Sequence, residues 1–600
     1  MPEKSNINNV NKLGDLPEWN LADLYENSDS SQINKDLKAI EELAKDFQVK
    51  YEAKISKLNP KELFHAIQEF ESLSSKMHKI VSYAHLLFVE NIKNIKNKVF
   101  FQKIKEKITE LNSLIIFFEL EINSIDEQSI KKLINDSNFS QYSNWIKIAR
   151  QFKPHQLNKE LEKLMNDKNI TSASAWSRLF DETIATLKFN FEGKDYSSTE
   201  IFNYTSDTDQ KKREGSSKSI GNTLKEHINI FTIITNNLAK DKSINDNWRN
   251  FSNSVSNRNL INVVEDEVVE ALSKSVQDSY PNLSHRYYAL KSKWFNKESL
   301  MYWDRNAPLP FEYQNIFSWD EAKQIVLSAY GLFSNEMHSI AKMFFDKSWI
   351  DAPVRDGKQF GAFSASTVPD IHPYILLNYQ GKMRDVSTLA HELGHGIHQY
   401  LASKQGFFNS STPLTLAETA SVFGEMLTFK YMLSKEKNTN NKKVLLANKV
   451  EDMLNTVVRQ IAFFEFEKKI HDNRKKGELT TDQICDIWMK VQSKSLGPSI
   501  VLSGNYKYFW SYIPHFIHSP FYVYAYAFGD CLVNSLYSVY EKSRIGFEEK
   551  YIYLLKSGGS RNYKELLKNF DLNPYDKRFW QKGLNVISNL IDELENLEDN

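Results

Sequence analysis

The stretch STLAHELGHGIHQYLA, residues 387–402, decides how this chain is interpreted, because it places three histidines, one glutamate and two glycines in what otherwise reads as a single helix. Its apolar residues recur at three- and four-residue spacing, which is typical of a helix buried on one face. Glycine inside a helix costs roughly 1 kcal/mol relative to alanine. We therefore predict that Gly394 and Gly396 are there to let another backbone element, or a substrate, come close.

Within this helix, residues 391–395 fit the pattern H-E-x-x-H. Residues four apart lie on one helix face, so the imidazoles of His391 and His395 can bind one metal ion. Glu392 lies beside them and can reach a water molecule on the open side of the metal. The alternative is a row of polar residues on a solvated face. The apolar neighbours Leu389 and Leu393 indicate a buried helix instead, in which histidine and glutamate need partners.

Two histidines leave a catalytic zinc ion one protein ligand short. The metzincin pattern requires glycine at 398 and histidine at 401, whereas this chain has His398 and Leu401, which excludes that class. The following segment, STPLTLAETASVFGEMLTFKYML (residues 411–433), supplies a carboxylate as in gluzincins. A helix is predicted to start at Pro413, with Glu418 about one turn inside it as the third ligand. The alternative is that both Glu418 and Glu425, on this segment, are solvated surface carboxylates.

Three further residues are predicted to support this site. Glu425, seven residues after Glu418 on the same helix face, is expected to accept a hydrogen bond from a ligating imidazole. His398 is expected to form hydrogen bonds, with direct metal ligation as the alternative. Asp385 is expected to cap the helix that carries the H-E-x-x-H pattern, because its carboxylate can accept free N–H groups of the first turn.

Composition excludes several other classes of protein. The 600 residues are 41% hydrophobic and 25% charged, and 76 basic residues balance 76 acidic ones, so neither a nucleic acid nor a membrane is an expected partner. The start of the sequence carries no apolar segment typical of a signal peptide. Cys485 and Cys531 are too few for a disulfide framework. We predict a cytoplasmic protein; whether it is a monomer or a homo-oligomer is left open.

Most of the chain is predicted to be helical, and one helix begins with Asn59 as its cap and Pro60 as its first residue. Turn signals and short β-like runs predict a small sheet within about residues 301–380. The expected domains are an N-terminal tail, a helical domain and a helical catalytic domain, at residues 1–18, 19–190 and 191–600. The catalytic domain would hold the metal site at 385–430.

A second cluster lies at FWSYIPHFIHSPFYVYAYAFGD, residues 509–530. A row of tyrosines is usually core, but two histidines and four tyrosines exceed what packing needs; they are Tyr512, His515, His518, Tyr522, Tyr524 and Tyr526. A zinc hydrolase needs donors aimed at the oxyanion of its tetrahedral intermediate, each typically worth about 10²–10³ in rate. The segment is therefore a candidate source of oxyanion donors.

Together these motifs resemble the oligoendopeptidase F family, the bacterial branch of the thimet-oligopeptidase-like zinc peptidases. The resemblance covers nearly the whole chain: WNLADLYEN, GKQFGAFS, HPYILLNYQG, DVSTLAHELGHGIHQY, LAETASVFGE, IPHFIHSPFYVYAYAFG, YLLKSGGS and FWQKGL. It implies a mostly α-helical, clam-like zincin body, with a small β-sheet beside the metal helix and a deep substrate channel. It also implies one zinc ion on His391, His395 and Glu418, and a sheet edge that can pair with substrate backbone.

The resemblance further implies an endopeptidase that cuts short unstructured oligopeptides internally, with Glu392 as general base and acid. His515, Tyr522 and Tyr524 would polarise the scissile carbonyl, and the choice between His515 and His518 and among the tyrosines stays open. The alternative enzyme is a dipeptidyl- or metallocarboxypeptidase, which needs a cation for the substrate's C-terminal carboxylate that the sequence does not locate. A helical peptide-binding or scaffold protein with a structural zinc is the alternative outside enzymology.

Overall fold

The structure is a computed structural model that describes residues 12–136, 139–311 and 315–598, and in these ranges the chain is mostly α-helical with three small sheets. It divides into two compact units, the first formed by residues 1–153, 314–435 and 539–572, and the second by 154–313, 436–538 and 573–600. The expected ranges 1–18, 19–190 and 191–600 follow other boundaries and stay a prediction. So do the clam-like shape and the channel. Among the described helices, none combines the length and the apolar character needed to cross a bilayer.

The first unit contains the H-E-x-x-H pattern. Its helices are Ser31–Tyr51, Pro60–Glu90, Ile95–Ile115, Phe117–Ser124, Glu127–Asn135, Ser143–Arg150, Trp319–Phe333, Asn335–Asp346, Met383–Ala402, Phe407–Ser410, Leu414–Ala417, Ser421–Lys435, Phe547–Ser557 and Tyr563–Lys568. The predicted start at Asn59 is confirmed: its side chain accepts from the Glu62 backbone N–H at 3.0 Å, and the Glu62 carboxylate accepts from the Asn59 backbone N–H at 2.9 Å. These two bonds satisfy donors that the first helical turn leaves free.

A three-stranded sheet in the first unit lies within the region predicted to be β. Its central strand, Tyr374–Leu376, pairs in parallel with Ile350–Asp351 and antiparallel with Phe363–Ala365. The register of the antiparallel pair places Ser364 opposite Ile375. Ile375 is fully buried beneath the helix Met383–Ala402, which we call the HExxH helix. The sheet therefore packs against that helix.

The second unit contains the His/Tyr segment, residues 509–530. Its helices are Lys159–Asn169, Ala173–Thr186, Ser198–Asn203, Gln210–Glu226, Ile228–Trp248, Ser256–Ile261, Asp266–Ser279, Ser284–Trp294, Thr439–Thr456, Val458–Arg474, Thr481–Leu496, His515–His518, Tyr524–Lys542 (which runs past residue 538) and Lys577–Glu598. Two two-stranded sheets accompany them, Phe189–Phe191 with Lys194–Tyr196 and Leu300–Met301 with Ile500–Val501.

Candidate metal centre

The HExxH helix starts earlier than the predicted cap at Asp385. It begins at Met383, so Asp385 lies inside the first turn. The carboxylate of Asp385 reaches back and accepts from the backbone N–H groups of Gln380 at 2.9 Å and Lys382 at 3.0 Å. It therefore satisfies donors just before the helix, and a negative charge in the first turn also suits the positive end of the helix dipole.

The prediction of a single helix that starts at Pro413 is wrong, because the helix is interrupted at Glu418. One short helix, Leu414–Ala417, ends there, and the next runs over Ser421–Lys435. The carbonyl of Thr419, in the break, accepts a hydrogen bond from the Tyr551 hydroxyl at 2.7 Å. Because a distant tyrosine satisfies this carbonyl, the helix can open at Glu418 without leaving it unpaired.

The break explains Gly394. A Cβ at this position would lie 2.4 Å from the Ala420 carbonyl oxygen and 2.5 Å from the Ser421 Cα. The prediction that Gly394 admits another backbone element is therefore confirmed. At Gly396 the close neighbour is a side chain, since a Cβ would lie 2.6 Å from the Phe344 ring.

Gly394→Ala tests this contact. Helix propensity alone would favour alanine by about 1 kcal/mol. We expect the opposite sign, a loss of about 1–3 kcal/mol in the free energy of unfolding, because a backbone segment must move to admit the methyl group. Denaturant unfolding measures the change. Gly477→Ala is the matched control, since nothing lies within 4 Å of its added Cβ. Unfolding of both variants at the same denaturant concentration would contradict the prediction.

Three side chains converge where the chain breaks. The Nε2 atoms of His391 and His395 each lie 3.5 Å from Oε2 of Glu418. These donor atoms lie within 4.8 Å of one another. Two ligands about 2.0–2.1 Å from a tetrahedral zinc ion are about 3.4 Å apart, so the spacing fits one ion. All three side chains are 21–31% exposed, which leaves a side open for a further ligand.

Each of the three donor side chains also contacts a second residue that can fix its orientation. Nδ1 of His391 lies 3.4 Å from Oε2 of Glu425, and an imidazole N–H of His395 donates to the Ala417 carbonyl. Oε2 of Glu418 accepts from the Ser421 hydroxyl at 2.7 Å. Such partners fix which imidazole nitrogen faces a metal. Sequence reasoning missed Ser421, although its position three residues after Glu418 was a usable signal.

Titration differs between the two imidazoles. Burial lowers the pKa of His391, but the hydrogen bond with Glu425 and the nearby carboxylates outweigh it and leave this pKa raised. Burial lowers the pKa of His395 to about 4, although Glu418 opposes that shift. His395 is therefore neutral at neutral pH, which is the form that ligates a metal.

Glu392 lies beside the donor group in a nearly dry setting. Its side chain is 7% exposed, and burial raises the pKa of its carboxyl to about 7. The backbone N–H of Ser364 donates to this carboxyl. The Ser364 carbonyl accepts from Gln399 Nε2 at 3.3 Å. Both backbone groups of Ser364 that face away from the sheet thus already form hydrogen bonds. At this residue, a substrate strand that pairs with the sheet edge would have to replace the hydrogen bonds to Glu392 and Gln399.

His398 is 2% exposed, and burial lowers its pKa to about 3. Together with Glu392 and His395 it lines a cavity of about 320 Å³. His398 is not among the donors close enough to share one ion. Its Nε2 has no hydrogen-bond partner in the part of the chain that the structure describes. The hydrogen-bonding role predicted for His398 therefore stays a prediction.

In the His/Tyr segment, the structure brings His515 together with two tyrosines. Nε2 of His515 lies 3.3 Å from the Tyr526 hydroxyl, and the rings of Tyr522 and Tyr526 are 5.4 Å apart. The Tyr526 side chain is 38% exposed. Sequence reasoning named Tyr526 in this cluster but did not select it. The signal was its position four residues after Tyr522, which in a helix would place both side chains on one face, although the helix itself begins only at Tyr524.

Tyr524 and His518 have other surroundings. The Tyr524 ring is 1% exposed and its hydroxyl accepts from Asn262 Nδ2 at 2.8 Å, so this tyrosine belongs to the core of the second unit. This corrects the expectation that its hydroxyl meets a substrate. Nε2 of His518 lies 2.9 Å from Oδ1 of Asp181, at the wall of a cavity of about 700 Å³.

An H-E-x-x-H helix joined by a glutamate from the next segment, on a mostly helical body, defines the class: a helical metallopeptidase. The chain belongs to the family described as Peptidase family M3, whose sequence model matches residues 203–586, and within it to the oligoendopeptidase F family. A second model, described as Oligopeptidase F, matches residues 121–189. The protein is thus a peptidase, as predicted.

Named relatives extend over nearly the whole chain. The oligoendopeptidase F homolog of Borreliella burgdorferi is 27% identical and covers 98% of this chain and 99% of its own. Oligopeptidase PepF of Bacillus subtilis is 25% identical, and the match covers 96% of this chain and 87% of that protein. A Chlamydophila abortus structure described as that of a peptidase shares the fold with a TM-score of 0.86 at 23% identity, covering 96% and 98%. The oligoendopeptidase-F structure from Enterococcus faecium shares the fold with a TM-score of 0.70 at 22% identity, and the match covers 96% of this chain and 100% of that one.

Proposed function

We propose that this peptidase is a zinc-dependent endopeptidase that hydrolyses internal peptide bonds of short, unstructured oligopeptides. One observation carries the proposal: a carboxyl buried at Glu392 lies beside three metal donors that remain partly exposed. The names of the relatives, oligoendopeptidase F and oligopeptidase, support the substrate class.

His391, His395 and Glu418 would hold the zinc ion. Imidazole nitrogen and carboxylate oxygen suit zinc, although cobalt or manganese can use the same ligands. When bound, zinc supplies Lewis-acid chemistry, lowering the pKa of water to about 7 and polarising a carbonyl group. Glu425, Ser421 and the Ala417 carbonyl keep the three donors in place. A catalytic rather than structural ion is supported by the open side of the donor group.

Glu392 is the proposed general base and acid. Its carboxylate takes a proton from the attacking water and delivers that proton to the nitrogen of the leaving amine. The raised pKa of the buried carboxyl suits both halves of this cycle near neutral pH. The backbone N–H of Ser364 donates to this carboxyl and restricts its orientation.

For the carbonyl-polarising role we propose His515 and Tyr522, as the resemblance implies, and replace Tyr524 by Tyr526. The reason is that Tyr526 contacts His515, whereas Tyr524 is buried in the core of the second unit. The cytoplasmic location, the absence of nucleic-acid and membrane partners and the oligomeric state stay predictions of the sequence or open questions.

A peptide-length series tests the proposed activity. We expect mass spectrometry to find internal cuts in peptides of increasing length, no cleavage of a folded protein, loss of activity after chelation and recovery with zinc. Elemental analysis of the same sample reports the metal. Stepwise loss of residues from the C-terminus would favour the carboxypeptidase alternative and contradict endopeptidase action. Full activity in a metal-free sample would contradict the zinc site.

A further inference from the structure

A tight turn in the second unit carries the chain from the short helix that contains His515 to Tyr522. The backbone N–H of Tyr522 donates to the Ser519 carbonyl at 3.0 Å, which closes the turn. Pro520 is its second residue, and the third, Phe521, has a φ of +62°. Glycine usually occupies a third turn position with positive φ, and a bulky residue there is strained. Contacts outside the turn must therefore hold this conformation.

The peptide group between Pro520 and Phe521 is held at both of its polar ends. Its N–H, from Phe521, donates to Oε1 of Glu467 at 3.0 Å. Its carbonyl, from Pro520, accepts from Nε of Arg258 at 3.1 Å. The N–H and C=O of a planar trans peptide point in opposite directions, so the two side chains approach it from opposite sides. Rotation of this peptide would give the commoner turn with a negative φ at Phe521, and both hydrogen bonds oppose that rotation.

Glu467 makes this contact at a cost. It lies on the helix Val458–Arg474, its side chain is 2% exposed, and its second oxygen, Oε2, has no hydrogen-bond partner among the described residues. Burying a carboxyl with one oxygen unpaired costs free energy. The Phe521 ring is itself fully buried, with its centre 4.8 Å from that of the His471 ring. Packing alone would favour an apolar side chain at 467, so the hydrogen bond to the turn is what distinguishes Glu467.

Arg258 connects the turn to Tyr522 directly. It lies on the helix Ser256–Ile261, and its guanidinium is 5.7 Å from the centre of the Tyr522 ring, which is within the range of a cation–π contact. The Tyr522 ring lies 5.4 Å from that of Tyr526, whose hydroxyl is 3.3 Å from Nε2 of His515. The held peptide ends one residue before Tyr522. A change in its orientation would therefore move the ring that is proposed to polarise the scissile carbonyl.

We propose that Glu467 and Arg258 are positioning residues, which hold the peptide between Pro520 and Phe521 so that the Tyr522 hydroxyl is aimed at the substrate carbonyl. The inference rests on the proposed function and deepens it, because it names residues that act through Tyr522 and not on the substrate. The alternative is that both residues only stabilise the second unit. The two cases differ in what happens once Tyr522 has already lost its hydroxyl.

Steady-state kinetics of the full-length enzyme tests the proposal. Glu467→Leu keeps an apolar packing group but removes the acceptor. We expect kcat to fall about 10- to 100-fold and KM to change less than about threefold, because a misplaced donor is missed chiefly in the transition state. Glu467→Gln should stay within about threefold of the wild-type kcat, because its amide oxygen can accept from the Phe521 N–H. Burial raises the pKa of the Glu467 carboxyl to about 8, so the neutral amide also resembles its charge state at neutral pH.

The same substitution is then measured in a Tyr522→Phe background. If Glu467 acts through the Tyr522 hydroxyl, Glu467→Leu should lower kcat no further there, because both changes remove one contribution. An equal further fall in that background would show a general structural effect and overturn the proposal. A wild-type kcat in Tyr522→Phe alone would remove the carbonyl-polarising role of Tyr522 and this positioning role with it, while internal cleavage would leave the endopeptidase assignment standing.

Arg258→Met tests the other side of the peptide, whether or not Glu467→Leu folds. Methionine keeps the length of the side chain but has no donor, so we expect the same fall in kcat and its absence in the Tyr522→Phe background. Arg474→Met is the matched control, because Arg474 also donates through Nε to a backbone carbonyl, that of Asn236 at 3.2 Å, and kcat should not change. Wild-type kcat in Arg258→Met and Glu467→Leu would overturn the positioning roles. Absence of cleavage by the wild type would overturn the proposed function as well.

Discussion

Glu392→Gln is expected to lower kcat by about 10²–10⁴-fold, the usual contribution of a general acid–base group. Glutamine keeps the size of the side chain and an oxygen that can accept from the Ser364 N–H, but it cannot take up a proton. The metal content should not change, since Glu392 is not one of the three clustered donors. Turnover of a fluorogenic peptide and elemental analysis of the same sample measure the two quantities.

A matched substitution separates this effect from a general loss of charge. Glu110→Gln makes the same chemical change at a glutamate that is 67% exposed and pairs with Lys107, so kcat should stay at the wild-type value. A Glu392→Gln protein that retains its zinc and full peptidase activity would remove the proposed mechanism. It would favour a helical peptide-binding protein with a structural metal instead.

Glu418→Ala is expected to weaken metal binding by more than about 100-fold, beyond the 10- to 100-fold typical of residues that orient ligands. The reason is that one of three donor atoms is lost outright, leaving the two imidazoles alone. Activity measured without added metal should fall to background. A competition titration against a chromogenic chelator gives the dissociation constant of the metal.

Glu425→Gln provides the graded comparison. Glu425 contacts His391 through Nδ1 and not through the nitrogen that faces Glu418, so its loss should cost only about 10- to 100-fold in metal affinity. Unchanged affinity in Glu418→Ala together with a large loss in Glu425→Gln would reverse the two assignments. It would make Glu425 the third ligand.

Local patterns were enough to predict several features. The helix Pro60–Glu90 follows from Asn59, Pro60 and Glu62, because capping depends on residues adjacent in sequence. The approach of His391 and His395 follows from helical spacing alone. The close contact at Gly394 follows from the cost of an unneeded glycine in a helix. Each of these depends on neighbours within a few residues.

Features that depend on distant residues were not predictable in the same way. At the break at Glu418, the Thr419 carbonyl accepts from the Tyr551 hydroxyl, which is more than a hundred residues away. The burial of Tyr524 requires Asn262 from another part of the second unit. Sequence spacing shows which residues share a face, but it does not show which partner will cover them.

The X-ray absorption spectrum of the purified, metal-loaded protein tests the central claim most directly, namely that His391, His395 and Glu418 share one ion. We expect one zinc per chain with two imidazole nitrogens at about 2.0–2.1 Å and at least one carboxylate oxygen at about 2.0–2.2 Å. A spectrum with sulfur ligands, or one without two imidazoles, would contradict it.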